Sequence, residues 1–543
     1  MPIYEINKFS GGISDYEDRG IAGAFKFGKN LDIRKQVDSL SCNQALKEEG
    51  IKEGQSPSAS QSPSSSASPS ASPSHTASPS ASTSPSSSVS HSPSGSSGIS
   101  DSPSRSPSAS ASPSASTSPS HSPSPSPSPS MALTSVFRDL IYFYVKAVDG
   151  YTYGFGSTGY IYRRSESGTE NVVVYKDQDG AIKGASEWYD DDGNTYLYWA
   201  TDTKEKRKLM PGRDDWNDVE IVGSLTSADW HTQRECGGSL IIANASTLAL
   251  VGYDSSFTNE ALNLIPGNLA KTITERNGRT IVGTVRASNP SEGVNAQIDS
   301  EFPLAQIGTD GEIFFDDMAT TVPSKRFPGG GRVNPDGRCN MVDQINFFEW
   351  EQTAQNWIDK QTIGNMAMFG VFSADEGRNG IYSYGRKNKN KPFVMNLEYE
   401  MDVDEIGALC NVNGVLIASY RSGTTFGQVS VDPTTKAEAV YEGLDYKAPI
   451  KGPEDPCAWG LIEVLMKPLP ANCWVEFWYR TDKYGDFIKT KLADGSSTNY
   501  TKTNSKKALY RVQADGQIYE PRVVLHPSGN STPEVYRIRT WFN

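Results

Sequence analysis

The chain of 543 residues carries a formal net charge of −13 and 36% hydrophobic residues, but only 5 His. Three of these (His75, His91, His121) fall in a Ser/Pro/Ala-rich tract, which leaves His231 and His526 for folded structure. Imidazole ligates most metals and serves most hydrolases as a base, so the composition speaks against metalloenzyme, Ser-His-Asp and Cys-His chemistry and leaves carboxylate-only catalysis open. The acidic balance repels phosphate on average; it speaks against general nucleic-acid binding and suits a surface that DNA passes without sticking.

The first segment, residues 1–54, lacks the basic start and apolar run of an export signal, and no run of 18 apolar residues occurs anywhere, so no membrane span or membrane partner is expected. Within it stand Lys8-Phe9-Ser10-Gly11-Gly12-Ile13-Ser14, Asn30-Leu31-Asp32-Ile33-Arg34 and Ser39-Leu40-Ser41-Cys42. Gly11-Gly12 lets the backbone turn or approach another chain closely. Asn30 to Ile33 can supply a strand to a sheet edge, as a propeller needs to close its ring.

These residues resemble the opening of tailed-bacteriophage structural proteins, including the propeller-bearing nozzle and tubular proteins of short tails. Gly11 and Gly12 fit the family's Gly-Gly-hydrophobic start, Asn30 and Leu31 its Asn-hydrophobic strand, and Leu40 its read-through Leu. The basic-Pro turn is missing, and Arg34 precedes Leu40 rather than following it. The resemblance spans residues 8–46. It implies a non-enzymatic virion component near the tail, made in the host cytoplasm, with Gly11, Gly12, Asn30, Leu31, Arg34 and Leu40 serving assembly. The partners it implies are other tail or adaptor proteins and further copies in a cyclic homo-oligomer, with DNA passing through unread.

Residues 55–130 iterate units such as Ser-Pro-Ser-Ala-Ser, with no aromatic residue and only Val89 and Ile99 as aliphatics larger than Ala. So little apolar surface cannot offset the entropy of ordering, and a disordered, solvated backbone of polyproline type is expected. If the head segment docks on the propeller, the tract is a loop fastened at both ends. Closing it costs only about 2 kcal/mol more than closing a ten-residue loop. Otherwise it is a tether.

Residues 131–450 read as short strands rich in Tyr, Val, Ile, Phe, Trp and Thr, punctuated by Gly turns. Asp149-Gly150-Tyr151-Thr152-Tyr153 aligns with Asp192-Gly193-Asn194-Thr195-Tyr196. Further turn-plus-strand units begin near Gly238, Gly278, Gly311, Gly380 and Gly414, at steps of 33–45 residues with one step about twice as long, where Ile345-Asn346-Phe347-Phe348 supplies a strand. That spacing predicts a β-propeller of seven or eight blades; an irregular sandwich is the plainer alternative.

Several runs invite chemistry. Ser373-Ala374-Asp375-Glu376-Gly377 resembles an Asp box, a structural turn of sialidase-like propellers, without its final Trp. Asp177-Gln178-Asp179-Gly180 and Asp190 to Asn194 suggest calcium but lack the twelfth-position Glu, so hairpin turns explain them. Phe327 to Arg332 is Gly-rich without the Lys-Ser/Thr of a phosphate loop, and no cofactor is expected. Trp188, Tyr196, Tyr198 and Trp199, with Tyr189, are candidates for stacking sugars, against cross-strand packing as the favoured reading. Lys204 to Lys208 reads as a solvated face or a contact with an acidic neighbour.

Residues 451–543 predict a separate Ig-like β-sandwich beyond the turn-rich Lys451 to Pro456. Six strands are expected: 461–466, 473–480, 486–492, 508–512, 521–525 and 534–542. Alternation places Val475, Phe477 and Tyr479 on the buried face, and Tyr536 with Ile538, Thr540 and Phe542. The 6 Cys show no C-x-x-C pair and read as small buried hydrophobes, with Cys457–Cys473 the one plausible bridge. Two competing functions stand beside the structural one. One is a host-surface glycan binder or depolymerase, which predicts an acidic and aromatic groove on a propeller face; the other is an adhesin with a mucin-like stalk.

Overall fold

The computed structural model describes residues 3–13, 23–33, 39–51, 137–298, 366–447 and 457–542, apart from 213–214, 237, 265, 277–278, 287–288, 373–377, 386–393, 482–484 and 517. No helix occurs among them. The head segment forms β1 (Ile3–Ile6), β2 (Phe27–Lys29) and β3 (Gln44–Glu49). Six antiparallel sheets follow. The first is β4 (Ile141–Lys146), β5 (Tyr151–Gly156), β6 (Tyr160–Ser165) and β7 (Asn171–Lys176); the second is β8 (Gly184–Tyr189), β9 (Thr195–Ala200), β10 (Lys204–Met210) and β11 (Glu220–Ser224). The third is β12 (Gln233–Cys236), β13 (Ser239–Asn244), β14 (Thr247–Val251) and β15 (Phe257–Asn263); the fourth is β16 (Asn268–Arg276), β17 (Arg279–Arg286) and β18 (Asn289–Ile298). The fifth is β19 (Met366–Val371), β20 (Gly380–Gly385) and β21 (Val394–Glu400), and the sixth β22 (Glu405–Val412), β23 (Val415–Ser422) and β24 (Thr425–Lys436).

The first strand of each sheet lies beside the first strand of the next: β4 by β8, β8 by β12, β12 by β16, β19 by β22, and β22 back by β4. This is the radial stacking of a β-propeller, an all-β fold in which each sheet buries both faces against its neighbours. β13 shows why the strands read as unbroken apolar runs. Leu240 and Ile242 pack with Trp188 and Tyr198 of the second sheet, while Ile241 and Ala243 pack with Ala270 and Val282 of the fourth. Gly150, Gly193, Gly238 and Gly414 sit between the first and second strands of their blades with φ of 80–85°, the left-handed backbone such hairpins require. Gly278, Gly311 and Ile345–Phe348 lie outside the described residues, and residues 299–365 separate the fourth described sheet from the fifth.

The C-terminal sandwich comprises β25 (Ala439–Glu442), β26 (Tyr446–Lys447), β27 (Cys457–Met466), β28 (Trp474–Arg480), β29 (Ile488–Lys489), β30 (Lys491–Leu492), β31 (Asn499–Tyr500), β32 (Lys507–Gly516), β33 (Ile518–His526) and β34 (Val535–Phe542). One sheet runs β1-β34-β27-β32-β30; the other contains β25-β33-β28-β29. Their shared core holds Trp459, Ile462, Phe477, Tyr510 and Val523 together with Phe9, Phe25, Leu31 and Leu40 of the head segment. The sandwich is therefore larger than 451–543: it takes β1, β25 and β26 as well. Cys42, Cys236, Cys410 and Cys473 are buried, and Cys473 makes no disulfide, so it is not bridged to Cys457.

Two further corrections concern facing. Tyr536 is exposed rather than inward, because Met466 pairs with Val535 while Leu465 pairs with Arg537. The bulge gives the inward place to Val535. Of the two readings of Lys204 to Lys208, the solvated face fails and the acidic contact fits, made within the chain: Lys206 and Lys208 point inward, where Asp177 (2.7 Å) and Asp218 (2.6 Å) meet them, and Leu209 points out.

Candidate functional site

The head segment is where the sequence motif and the structure converge. β2 pairs parallel with β21 and antiparallel with β25, so one continuous sheet runs from the fifth blade into the sandwich. β3 pairs with β24 and becomes the fourth strand of the sixth blade, while β1 pairs with β34 at the sandwich edge. Each described motif residue bonds across these junctions or shapes the turn that leads to them. Gly11 donates to Gly23 O at 2.9 Å, and a Cβ there would lie 2.1 Å from Ala24 N. Gly12, at φ 73°, accepts from Phe25 N.

Asn30 is the knot. Its backbone sits at φ 55°, a conformation that Asn tolerates better than most residues. Its N–H donates to Leu397 O and its Nδ2 to Glu438 O, while its Oδ1 accepts from Glu400 N at 2.8 Å. Leu31 and Leu40 are fully buried; Leu31 O accepts from Asn396 Nδ2, and Leu40 exchanges both backbone bonds with Val535. Arg34 lies outside the described residues.

Charged groups complete the seam. Lys26 reaches Glu520 at 3.0 Å, and Arg480 grips the same carboxylate from the other side. Burial, with Asp445 alongside, pushes Glu520 up to about 7 against these cations. At the far end of β3, Glu49 accepts two bonds from Arg164 of the first blade (2.6 and 2.7 Å) and one from Gln428 of the sixth. Burial works to raise the Glu49 carboxyl, but the guanidinium outweighs it and holds it below its ordinary value. Ile51 and Phe137, the described residues on either side of 52–136, pack in one cluster with Ile141, Tyr162 and Ala408.

A cleft of about 590 Å³ opens on the outer face of the sheet that β2 bridges. Glu400, Glu438, Glu442, Lys29, Arg522 and Trp478 are among its lining residues. Lys29 pairs with Glu400 at 2.7 Å, and Arg522 with Glu442. His526 stands beside this face, 2.9 Å from Glu438 and 3.4 Å from Glu476, stacked on Trp474. Burial works against its charged form, but the two carboxylates outweigh it and raise His526 to about 9. Hydrogen bonding from His526 lowers Glu438, and His526 with Lys489 brings Glu476 down to about 2 against the effect of burial. These carboxylates are built to stay ionised.

The aromatic candidates divide. Trp188, Tyr198 and Trp199 are buried inside the blades, Trp199 donating to Asp177 at 2.7 Å, so they serve packing; Tyr196 is half-buried and bonded to Asp190. The exposed rings nearby are Tyr189 (39%) and Tyr253 (40%), whose hydroxyls lie 3.3 Å apart, with Trp188 beneath Tyr253 at 5.0 Å. Tyr253 went unnoticed in the sequence because it belongs to a different blade. The acidic runs are turns: Asp177 accepts from Lys206 and Asp179 N, and Asp190 from Asn194 and Tyr196. Ser373–Gly377 and Phe327–Arg332 lie outside the described residues.

No family model matches the chain, and no curated protein matches it. Among solved structures it is similar to the exo-β-1,3-galactanase of Phanerochaete chrysosporium with galactose, at 6% identity, covering 75% of this chain and 96% of that one with a TM-score of 0.27. It is similar also to a β-propeller domain of Cps50 (Swd1) from Myceliophteria thermophila, at 10% identity, 55% and 97% coverage and a TM-score of 0.31. A putative oxidoreductase (glucose dehydrogenase) from Thermus thermophilus gives 8%, 55% and 98%, and 0.33. At such scores the likeness carries no argument about activity, and the fold rests on the sheet order described above.

Proposed function

We propose that this protein is a non-enzymatic structural component of a phage tail or tail adaptor, assembling with further copies into a ring or tube that conducts DNA. The observation that supports it is the use made of the head motif. Asn30 and Leu31 bond to the sheet that holds β21 and β25, and Leu40 to β34 of the facing sheet, so residues of the motif tie two sheets together, a mechanical use that suits an assembly segment. A net charge of −13 suits a wall past which DNA moves. Mass spectrometry of purified phage particles tests the reading: the chain should be present in a fixed multiple of a known tail protein, and its absence from particles removes the proposal.

A second reading, glycan binding at the host surface, draws on the Tyr189–Tyr253 ledge, whose exposed rings and paired hydroxyls suit a sugar's apolar face and its hydroxyls. Retention of the protein on immobilised host polysaccharide, lost in a Y189A/Y253A variant, would favour this reading; no retention would remove it.

A further inference from the structure

We infer that the head segment, through its described residues 3–13, 23–33 and 39–51, is a docked ligand of the rest of the chain, held by its own contacts, so that a cut between 52 and 136 leaves a stable two-piece protein. Three observations carry this. The segment contributes β1, β2 and β3 to three different sheets, each by backbone pairing with strands between Val394 and Phe542. It buries Phe9, Phe25, Leu31, Ile33, Leu40 and Cys42 in the sandwich core. And Ile51 and Phe137 lie in one cluster, so the two attachment points are already together and nothing needs to span between them. The surface that receives the segment is a slot between β21 and β25 together with the free edges of β24 and β34. The occupant that fits is this chain's own head, whether supplied by the same molecule or by another copy.

The covalent link then acts only through effective concentration, on the order of millimolar for a flexible connection. A cut loses that advantage and none of the pairing or burial. The tract offers a natural place to cut, because Arg105 is the sole Lys or Arg between 55 and 130.

Limited trypsin digestion of the full chain, followed by native size exclusion and intact-mass analysis of each peak, tests the inference. The piece ending at Arg105 and the piece beginning at Ser106 should co-elute at a protein concentration of about 1 μM, with the melting temperature within about 5 °C of the uncut chain. A K52Q/R105Q chain should lose both cuts of the interval and serve as the uncut reference. In nicked L40A protein the head piece should dissociate on dilution, which shows that burial and not adventitious sticking retains it. Separation of the head piece from the nicked wild-type protein under native conditions would overturn the inference, as would equal retention in nicked L40A.

Discussion

Replacing Asn30 tests the physical account of the seam. The N30A substitution removes a carboxamide that donates to Glu438 O and accepts from Glu400 N, and places Ala at a φ of 55°. Two shielded backbone groups lose their partners, at about 1–3 kcal/mol each, and the left-handed backbone costs Ala about 1–2 kcal/mol more, giving about 3–8 kcal/mol in all. N30G removes the carboxamide but tolerates the φ, so it should destabilise by about 2–6 kcal/mol, less than N30A by the backbone cost. With an unfolding entropy of about 2.1 cal/mol/K per residue, a body of this size loses roughly 1 °C per kcal/mol, so N30A should melt roughly 3–8 °C low. Differential scanning calorimetry of wild type, N30G and N30A gives the order, and hydrogen exchange at β2 and β3 locates the loss. A wild-type melt for N30A would refute the hydrogen-bond argument; N30G falling below N30A would refute the backbone argument.

Other expectations follow from the same geometry. Truncation in E49A strands the buried Arg164 guanidinium and should cost about 3–5 kcal/mol, with faster amide exchange at β3; E49Q, which keeps an acceptor, should cost less. His526 has a folded value of about 9 against an ordinary 6.5, so its stabilisation is complete below pH 6.5 and lost as pH rises through about 9. Melting of the wild type should therefore decline across that window, H526Q should flatten the profile, and the ring's NMR titration gives the midpoint directly. G11A forces a Cβ to within 2.1 Å of Ala24 N and should destabilise by about 3 kcal/mol or more, whereas G180A has open space and meets only its φ of 98°, about 1–2 kcal/mol by thermal melt.

The propeller was legible because its signals are local. A turn glycine such as Gly193 must take positive φ wherever the hairpin occurs, so its recurrence marks the blades. Five of the six expected sandwich strands were legible for the same reason, through their alternation; 486–492 instead divides into β29 and β30, which pair into opposite sheets. What escaped depended on partners distant in sequence. β10 inverts the usual pattern, with Lys206 and Lys208 inside and Leu209 outside, because Asp177 and Asp218 come from other turns to neutralise them. The inward place of Val535 depends on a bulge against Met466. The strap's role in ring closure could be argued from the edge it removes, but its burial in the sandwich could not, since β1 and β34 carry no mark of each other.

The order of threading has a consequence for biosynthesis. β3 ends at Glu49, yet its partner β24 begins at Thr425, and β1 waits for β34 at Val535. With translation at about 5–20 residues per second, the nascent head spends roughly 20–75 s or more without its partners. Phe9, Phe25 and Leu31 lack their sandwich partners through that interval, so the blades between can close on themselves while the head waits, and the segment made first is among the last to be seated.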